Sequence, residues 1–271
     1  MNRGSFKFLP YGFGIIAFTI IPILIITWFA FTDESRQFTF DNILKIKNYA
    51  GVLVRSLVFA SISTLICLLI AYPFAYFMSR ISENGQKMCI IIIMLPMWTN
   101  LLLRTYSWMT LLENNGLINN LLKLIGIGPF RMINTPCAVI LGMVYDFLPF
   151  MILPIYTVMT KIDKSLIEAG NDLGANSMQT LRRIILPLSI PGVLSGVSMV
   201  FVPAVSTFVI SRLLGGGSNV LIGDLIESQF VGSAYNPWFG SALSWVLMVV
   251  MLVIMAITRK FDKNETAGLL L

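Results

Sequence analysis

Asp146 is the only carboxylate well inside an apolar run of this 271-residue sequence. A charge at the centre of a helix in lipid costs roughly 2.5–3.5 kcal/mol or more, so it needs a partner, water or a task. Arg104 offers a partner. It stands eight residues from one end of its own apolar run, and Asp146 stands ten from the matching end of the next. At 1.5 Å per residue both lie about 12–15 Å deep. Two readings follow, an ion pair that fixes packing and a pair that serves a pathway. Trp98, Tyr106, Trp108, Tyr145 and Phe147 lie close by in sequence. An amine cation can rest on such faces while Asp146 neutralises it. The same residue types also gather at membrane interfaces.

Other chemistry is sparse. There is no histidine, which removes the usual metal ligand and the usual general base at neutral pH. Cys67, Cys89 and Cys137 are scattered through apolar stretches without CxxC spacing, and read as small core hydrophobes rather than a disulfide frame or metal site. Gly215, Gly216 and Gly217 precede Ser218 and Asn219. Without the G-x-x-x-x-G-K-[ST] pattern they read as a turn, not a phosphate cradle. No catalytic residue and no metal ligand is expected.

The elements that must position Asp146 and Arg104 are membrane helices. The chain is 56% apolar and 12% charged, with a mean hydropathy of +0.82; a soluble domain carries roughly 25% charged residues. The net charge of +6 reads as basic residues flanking spans, not as a nucleic-acid surface. Six apolar stretches reach the length of about 20 residues that a bilayer requires. They run over residues 8–31, 57–78, 88–112, 137–159, 188–210 and 239–257. In lipid each must be helical, since a helix satisfies its own backbone. Prolines 22, 73, 96, 149, 154 and 203 fall inside them and are expected to kink rather than end them.

Arg3 and Lys7 precede the first stretch, but that run exceeds the roughly 7–15 apolar residues of a signal core, and it reads as a retained span. With the N-terminus inside, the inner segments carry eleven lysines and arginines in 58 residues, against seven in 77 for the outer loops. That bias puts both termini in the cytoplasm. No internal repeat is evident, and residues 1–271 read as one all-α integral membrane domain. The stretch from Asp262 to Leu271 reads as a tail without structure.

The inner loop between spans 4 and 5, residues 161–187, has a pattern of its own. Asp163 is suited to cap a first helix, with Leu166, Ile167 and Leu173 on its apolar side. Gly174 can take the left-handed conformation that ends it. Asn176 then caps a second piece, with Gln179 three residues on as in a capping box. Leu181, Ile184, Ile185 and Leu188 continue at helical spacing. The result is helix, glycine turn, helix along the inner face.

Glu168, Ala169 and Gly170, then Gly174, then Ile184, Leu186 and Pro187 resemble the EAA loop of bacterial ATP-binding-cassette (ABC) importer permeases. Every spacing of that pattern is met; the one departure is Gly170 in place of the second alanine, which weakens a helix by about 1 kcal/mol. Residues 104–122, 145–156 and 201–230 are similar to polyamine permeases of that family. Asp146 is not part of the pattern.

The resemblance implies a coupling helix in that loop, with Glu168, Ala169 and Gly174 at the contact with an ATPase. It also implies four components: this chain, a second permease in a heterodimer, an ATPase dimer and an extracytoplasmic polyamine-binding protein. ATP and Mg would sit on the ATPase and no cofactor on this chain. The place implied is the bacterial plasma membrane, and the substrate a polyamine such as spermidine or putrescine. A pathway would draw on Asp146, Arg104, Tyr106, Trp108, Tyr145 and Phe208. Related permeases for ferric iron or sulfate share the loop, and a proton-coupled transporter using Asp146 is the alternative from another class.

In span 5, Gly192 and Gly196 have the spacing of close helix approach, and Pro203 interrupts the ladder ahead of Ser206, Thr207 and Phe208. The pair serves either packing within the chain or a subunit interface. The family, in which span 5 lines the centre, favours the interface.

Overall fold

The computed structural model describes residues 14, 16–232 and 234–268. The expected basic start at Arg3 and Lys7 and the opening of span 1 lie outside the described residues. Within them the chain is helical. The elements are α1 (Ile16–Ala30), α2 (Asp41–Arg80), α3 (Glu83–Met94), α4 (Leu101–Leu112), α5 (Leu117–Leu124), α6 (Pro136–Met159), α7 (Lys164–Asp172), α8 (Ser177–Ser206), α9 (Val209–Gly215), α10 (Ile222–Phe230) and α11 (Pro237–Gly268).

By length and composition four helices can cross a membrane: α2, α6, α8 and the Pro237–Thr258 part of α11. A fifth crossing is formed if the bent pair Glu83–Trp98 and Leu101–Leu124 counts as one span. α1 is a shorter apolar helix that opens with a π-helical turn, Ile16–Ile20. The six crossings expected from sequence are therefore not all reached by the described residues. Span 4, expected over 137–159, is the helix Pro136–Met159. α11 runs on to Gly268, past Asp262, where a tail without structure was expected.

The largest departure is span 3. Instead of one rod over residues 88–112, the chain bends by 89°. The reason is local. Pro96 brings no N–H to the ladder, and the chain tightens to a 3-10 turn over Leu95–Trp98. Thr99 is extended (φ −82°, ψ 155°). Asn100 then restarts a helix, its Oδ1 accepting from the Leu102 N–H at 2.8 Å, as a helix N-cap does.

The chain falls into two compact units. One comprises residues 1–53 and 225–253. In it the rings of Phe38, Phe40 and Trp245 gather on Phe31, with centroids 5.2–6.0 Å away. Buried Asn42 donates to the Thr32 carbonyl at 2.9 Å and ties the loop after α1.

The other unit comprises residues 54–224 and 254–271 and holds both regions singled out from sequence. Its centre is the extensive contact of α6 with α8. One apolar cluster joins Cys67, Ala71 and Ala75 of α2 to Met151, Ile155 and Met159 of α6 and to Ile185 and Val200 of α8. A second joins Phe59 and Leu112 to Val139 and Met143 of α6 and to Ile210 and Leu214 of α9. Cys67 is fully buried, as expected of a core hydrophobe, but Cys137 is exposed.

Glycines bring the helices together. A Cβ on Gly192 would meet the Pro154 carbonyl and Val158 at 3.0 Å, and one on Gly196 would meet Met151 Sδ at 2.7 Å. The spacing thus serves close packing of α8 on α6 inside this chain, where a subunit interface was favoured. Its partner is a neighbouring helix because Pro154, with the residues around it on α6, presents backbone to the groove. Gly216 and Gly217 have φ of 57° and 75° and form the turn that ends α9, as their composition suggested.

Candidate functional site

The loop after α6 folds as its local signals dictate. Asp163 is extended and accepts from the Ser165 N–H at 3.0 Å, starting α7. These bonds to Ser165 hold the Asp163 carboxyl below the usual carboxylate range. At the other end Gly174 has φ of 82°. Its N–H donates to the Asn171 carbonyl at 2.9 Å, and Ala175 N–H donates to the Gly170 carbonyl at 3.1 Å. That crossed pair is a Schellman ending.

Asn176 and Gln179 then exchange hydrogen bonds, both at 2.9 Å, in a full capping box. The second helix runs through a π-helical turn, Leu181–Ile185, straight into the long part of α8. Sequence periodicity does not mark this turn. π-turns insert an extra residue and are frequent where function demands a change of phase.

The seven pattern residues spread over both pieces. Glu168 and Ala169 are exposed on α7, and Gly174 is exposed at the turn. Gly170 faces Ile184, so α7 lies directly against the π turn. Leu186 is exposed and Pro187 half-buried at the base of the long helix. The apolar side of α7 divides. Ile167 packs inward on the core, whereas Leu166 is 47% and Leu173 90% exposed. Beneath the loop lies a cavity of about 710 Å³, lined by Tyr76, Arg80, Glu83, Gln86, Glu168 and Asn171 among others.

Two cross-helix hydrogen bonds near this cavity had no sequence signal beyond their residue types. Tyr156 Oη donates to Gln86 Oε1 at 2.8 Å, while Gln86 Nε2 donates to the Ile81 carbonyl at 2.9 Å. The Tyr72 and Ser189 hydroxyls meet at 2.9 Å, linking α2 to α8.

The second region lies where α4 meets α6. Arg104 and Asp146 do pair, Nη1 to Oδ1 at 3.3 Å, with the carboxylate side chain 3% exposed and the guanidinium 13%. Trp108, one turn on from Arg104, meets Tyr145 edge to face with centroids 5.4 Å apart. The ion pair and the ring pair thus join the same two helices within one turn of each other. Tyr106 lies two residues from Arg104, about 200° round the helix, and is half exposed. Phe208 sits at the break between α8 and α9 and is 40% exposed. Trp98 is 74% exposed at the bend.

This geometry offers no nucleophile–base pair. Among the described residues no group of three or more acidic or cysteine side chains could hold a metal. What it offers is an exposed, well-capped loop continuous with a long helix, and a buried ion pair with a ring pair on the same two helices.

Residues 5–265 match the family described as binding-protein-dependent transport system inner membrane component. A spermidine/putrescine transport system permease protein, PotB, of Haemophilus influenzae is 40% identical over 259 residues, covering 92% of this chain and 90% of that one. A bacterial ABC transporter involved in the import of the acidic polysaccharide alginate has the same fold. Its TM-score is 0.82 at 18% identity, over 96% of this chain and 94% of that one. The alginate transporter in complex with an alginate pentasaccharide-bound periplasmic protein matches at 0.81 and 17%, over 96% and 93%.

Proposed function

The chain belongs to the binding-protein-dependent transport system inner membrane components, and on that footing we propose that it is the permease subunit of an ATP-driven polyamine importer. It is a multi-pass membrane protein of the ABC permease class. Spermidine and putrescine are the substrates named for the 40%-identical relative, and that likeness over nine-tenths of both chains supports the substrate class here.

The observation that carries the reading is the loop of α7 and the start of α8. It is capped at Asp163, Gly174 and Asn176 and leaves Leu173 90% exposed. With Leu166, Leu173 gives the loop exposed apolar surface beside the Glu168, Ala169 and Gly174 of the family pattern, which suits a docking face. The reading assigns that surface to a separate ATPase dimer, which binds ATP and Mg, while this chain binds neither. Glu168, Ala169 and Gly174 meet it, and Ile184, Leu186 and Pro187 pass its movement into the long helix. A second permease completes the pathway, and an extracytoplasmic polyamine-binding protein delivers the substrate. The chain crosses the bacterial plasma membrane six times with both termini in the cytoplasm, the bent α3–α4 pair and α1 supplying the crossings beyond the four long helices.

Closure of the ATPases draws the coupling loops together and rocks the bundle; hydrolysis resets it. The test is uptake of spermidine and putrescine into vesicles holding all four components. Uptake should require ATP and the binding protein, and should fall at least tenfold when Glu168→Arg is introduced. ATP-independent uptake that collapses with the proton gradient would instead favour a secondary transporter.

A further inference from the structure

We propose that Asp146 is a binding point for a substrate ammonium group, and that Arg104 occupies it as a built-in stand-in while the pathway is empty. The inference rests on the polyamine reading above and adds the chemistry of one point in the path.

The geometry of the pair is its starting point. A charge-assisted bond between a guanidinium and a carboxylate measures about 2.7–2.9 Å and is frequently two-pronged. Here there is a single approach of 3.3 Å. Neither Asp146 Oδ1 nor Arg104 Nε makes a hydrogen bond among the described residues. The carboxylate is nonetheless 97% withdrawn from solvent. A buried ion pair repays its desolvation only when further hydrogen bonds satisfy its remaining groups, and this pair has none at Oδ1 or Nε.

A primary or secondary ammonium suits the vacated place better. It is compact and can aim its donors at both carboxylate oxygens, which Arg104 does not. Trp108 and Tyr145 pack edge to face on the same two helices, each within one turn of a member of the pair, and an aromatic face of this kind attracts an ammonium group.

The experiment uses the complete four-component transporter in vesicles, with Asp146→Asn, Arg104→Met and the double variant Arg104→Met/Asp146→Leu. Assembly is checked by gel filtration, and Asp146→Glu keeps the carboxylate should Asp146→Asn fail to assemble. The proposal expects Asp146→Asn to lower spermidine uptake at least tenfold, Arg104→Met to lower it by less than threefold, and the double variant to stay as poor as Asp146→Asn. It is overturned if the two single variants are equally damaging and the double recovers, the pattern of a packing pair. If the unmodified transporter takes up no polyamine, the substrate reading fails instead, and that result is read before any variant.

Discussion

Gly170 faces Ile184 so closely that a Cβ at position 170 would come within 2.6 Å of Ile184 Cδ1. This is the point where the first helix of the loop rests on the π turn that leads into α8. Gly170→Ala gains about 1 kcal/mol of helix propensity, while the terminal methyl of Ile184 must swing aside, at about 0.5–1.5 kcal/mol. The two offset each other, so Gly170→Ala should keep ATP-driven uptake within about twofold. Gly170→Val cannot be met by one rotamer change and should lower uptake several-fold. Gly170→Val with Ile184→Ala should recover most of it.

Gly174 is a matter of backbone rather than space. Nothing lies within 4 Å of a Cβ there, but φ is 82°. Left-handed backbone costs an ordinary residue about 1–2 kcal/mol. Gly174→Val should therefore fray the end of α7 and raise amide exchange over Asn171–Ala175, with Gly174→Asn clearly milder. Equal exchange in both variants would contradict a conformational cause.

Asp163 sets a pH dependence for the same helix. Its folded-state pKa is lowered by the bonds to Ser165. A lowered carboxylate stabilises the fold above its unfolded value of about 3.9. That contribution disappears as pH falls through the still lower folded value. Protection of the α7 amides should therefore be flat from pH 6 to 8 once intrinsic exchange is corrected. It should weaken only in the acid range. Asp163→Asn should match the native loop at neutral pH and lose the acid response, and Asp163→Ala should be weaker throughout.

The Tyr156–Gln86 bond at 2.8 Å holds the α2–α3 turn to α6. Tyr156→Phe removes the donor and leaves a part-buried acceptor, costing about 1–3 kcal/mol. A lower unfolding temperature in detergent is expected, with little further loss when Gln86→Leu is added. Fully additive losses would mean that the two side chains act independently.

Gly142 allows α6 to meet α9, since a Cβ there would lie 2.5 Å from Leu214 Cδ1 and 2.8 Å from Ile210 Cγ2. Gly142→Val overpacks that contact, at about 1–3 kcal/mol. Thermal unfolding should show the loss, and Leu214→Ala in the same chain should relieve part of it.

Legibility from sequence followed the range of the cause. Asp163, Gly174 and the Asn176–Gln179 box act within a few residues, so their types and spacing announced them. The meeting of Arg104 with Asp146 was legible because depth along two apolar runs leaves few partners for a charge. The bend in span 3 was missed because Pro96 read as an ordinary kink; Thr99 and Asn100, extended residue and helix cap, were the signal beside it. Gly192 and Gly196 announced a close approach but not its partner. That partner is fixed by Pro154 and Val158, some forty residues earlier in the chain and adjacent only once folded.

The π turn at Leu181–Ile185 lies within a helix of 30 residues, Ser177–Ser206, which at 1.5 Å per residue is a rod about 45 Å long. One surplus residue in the turn rotates everything above it relative to everything below. Ile167 of α7 and Met159 of α6 share one cluster with Ile185 at the end of that turn, so the turn's phase sets which residues of α8 face both neighbours at once. Deleting one residue between Leu181 and Ile185 would leave the rod intact while aiming its two ends at the wrong neighbours.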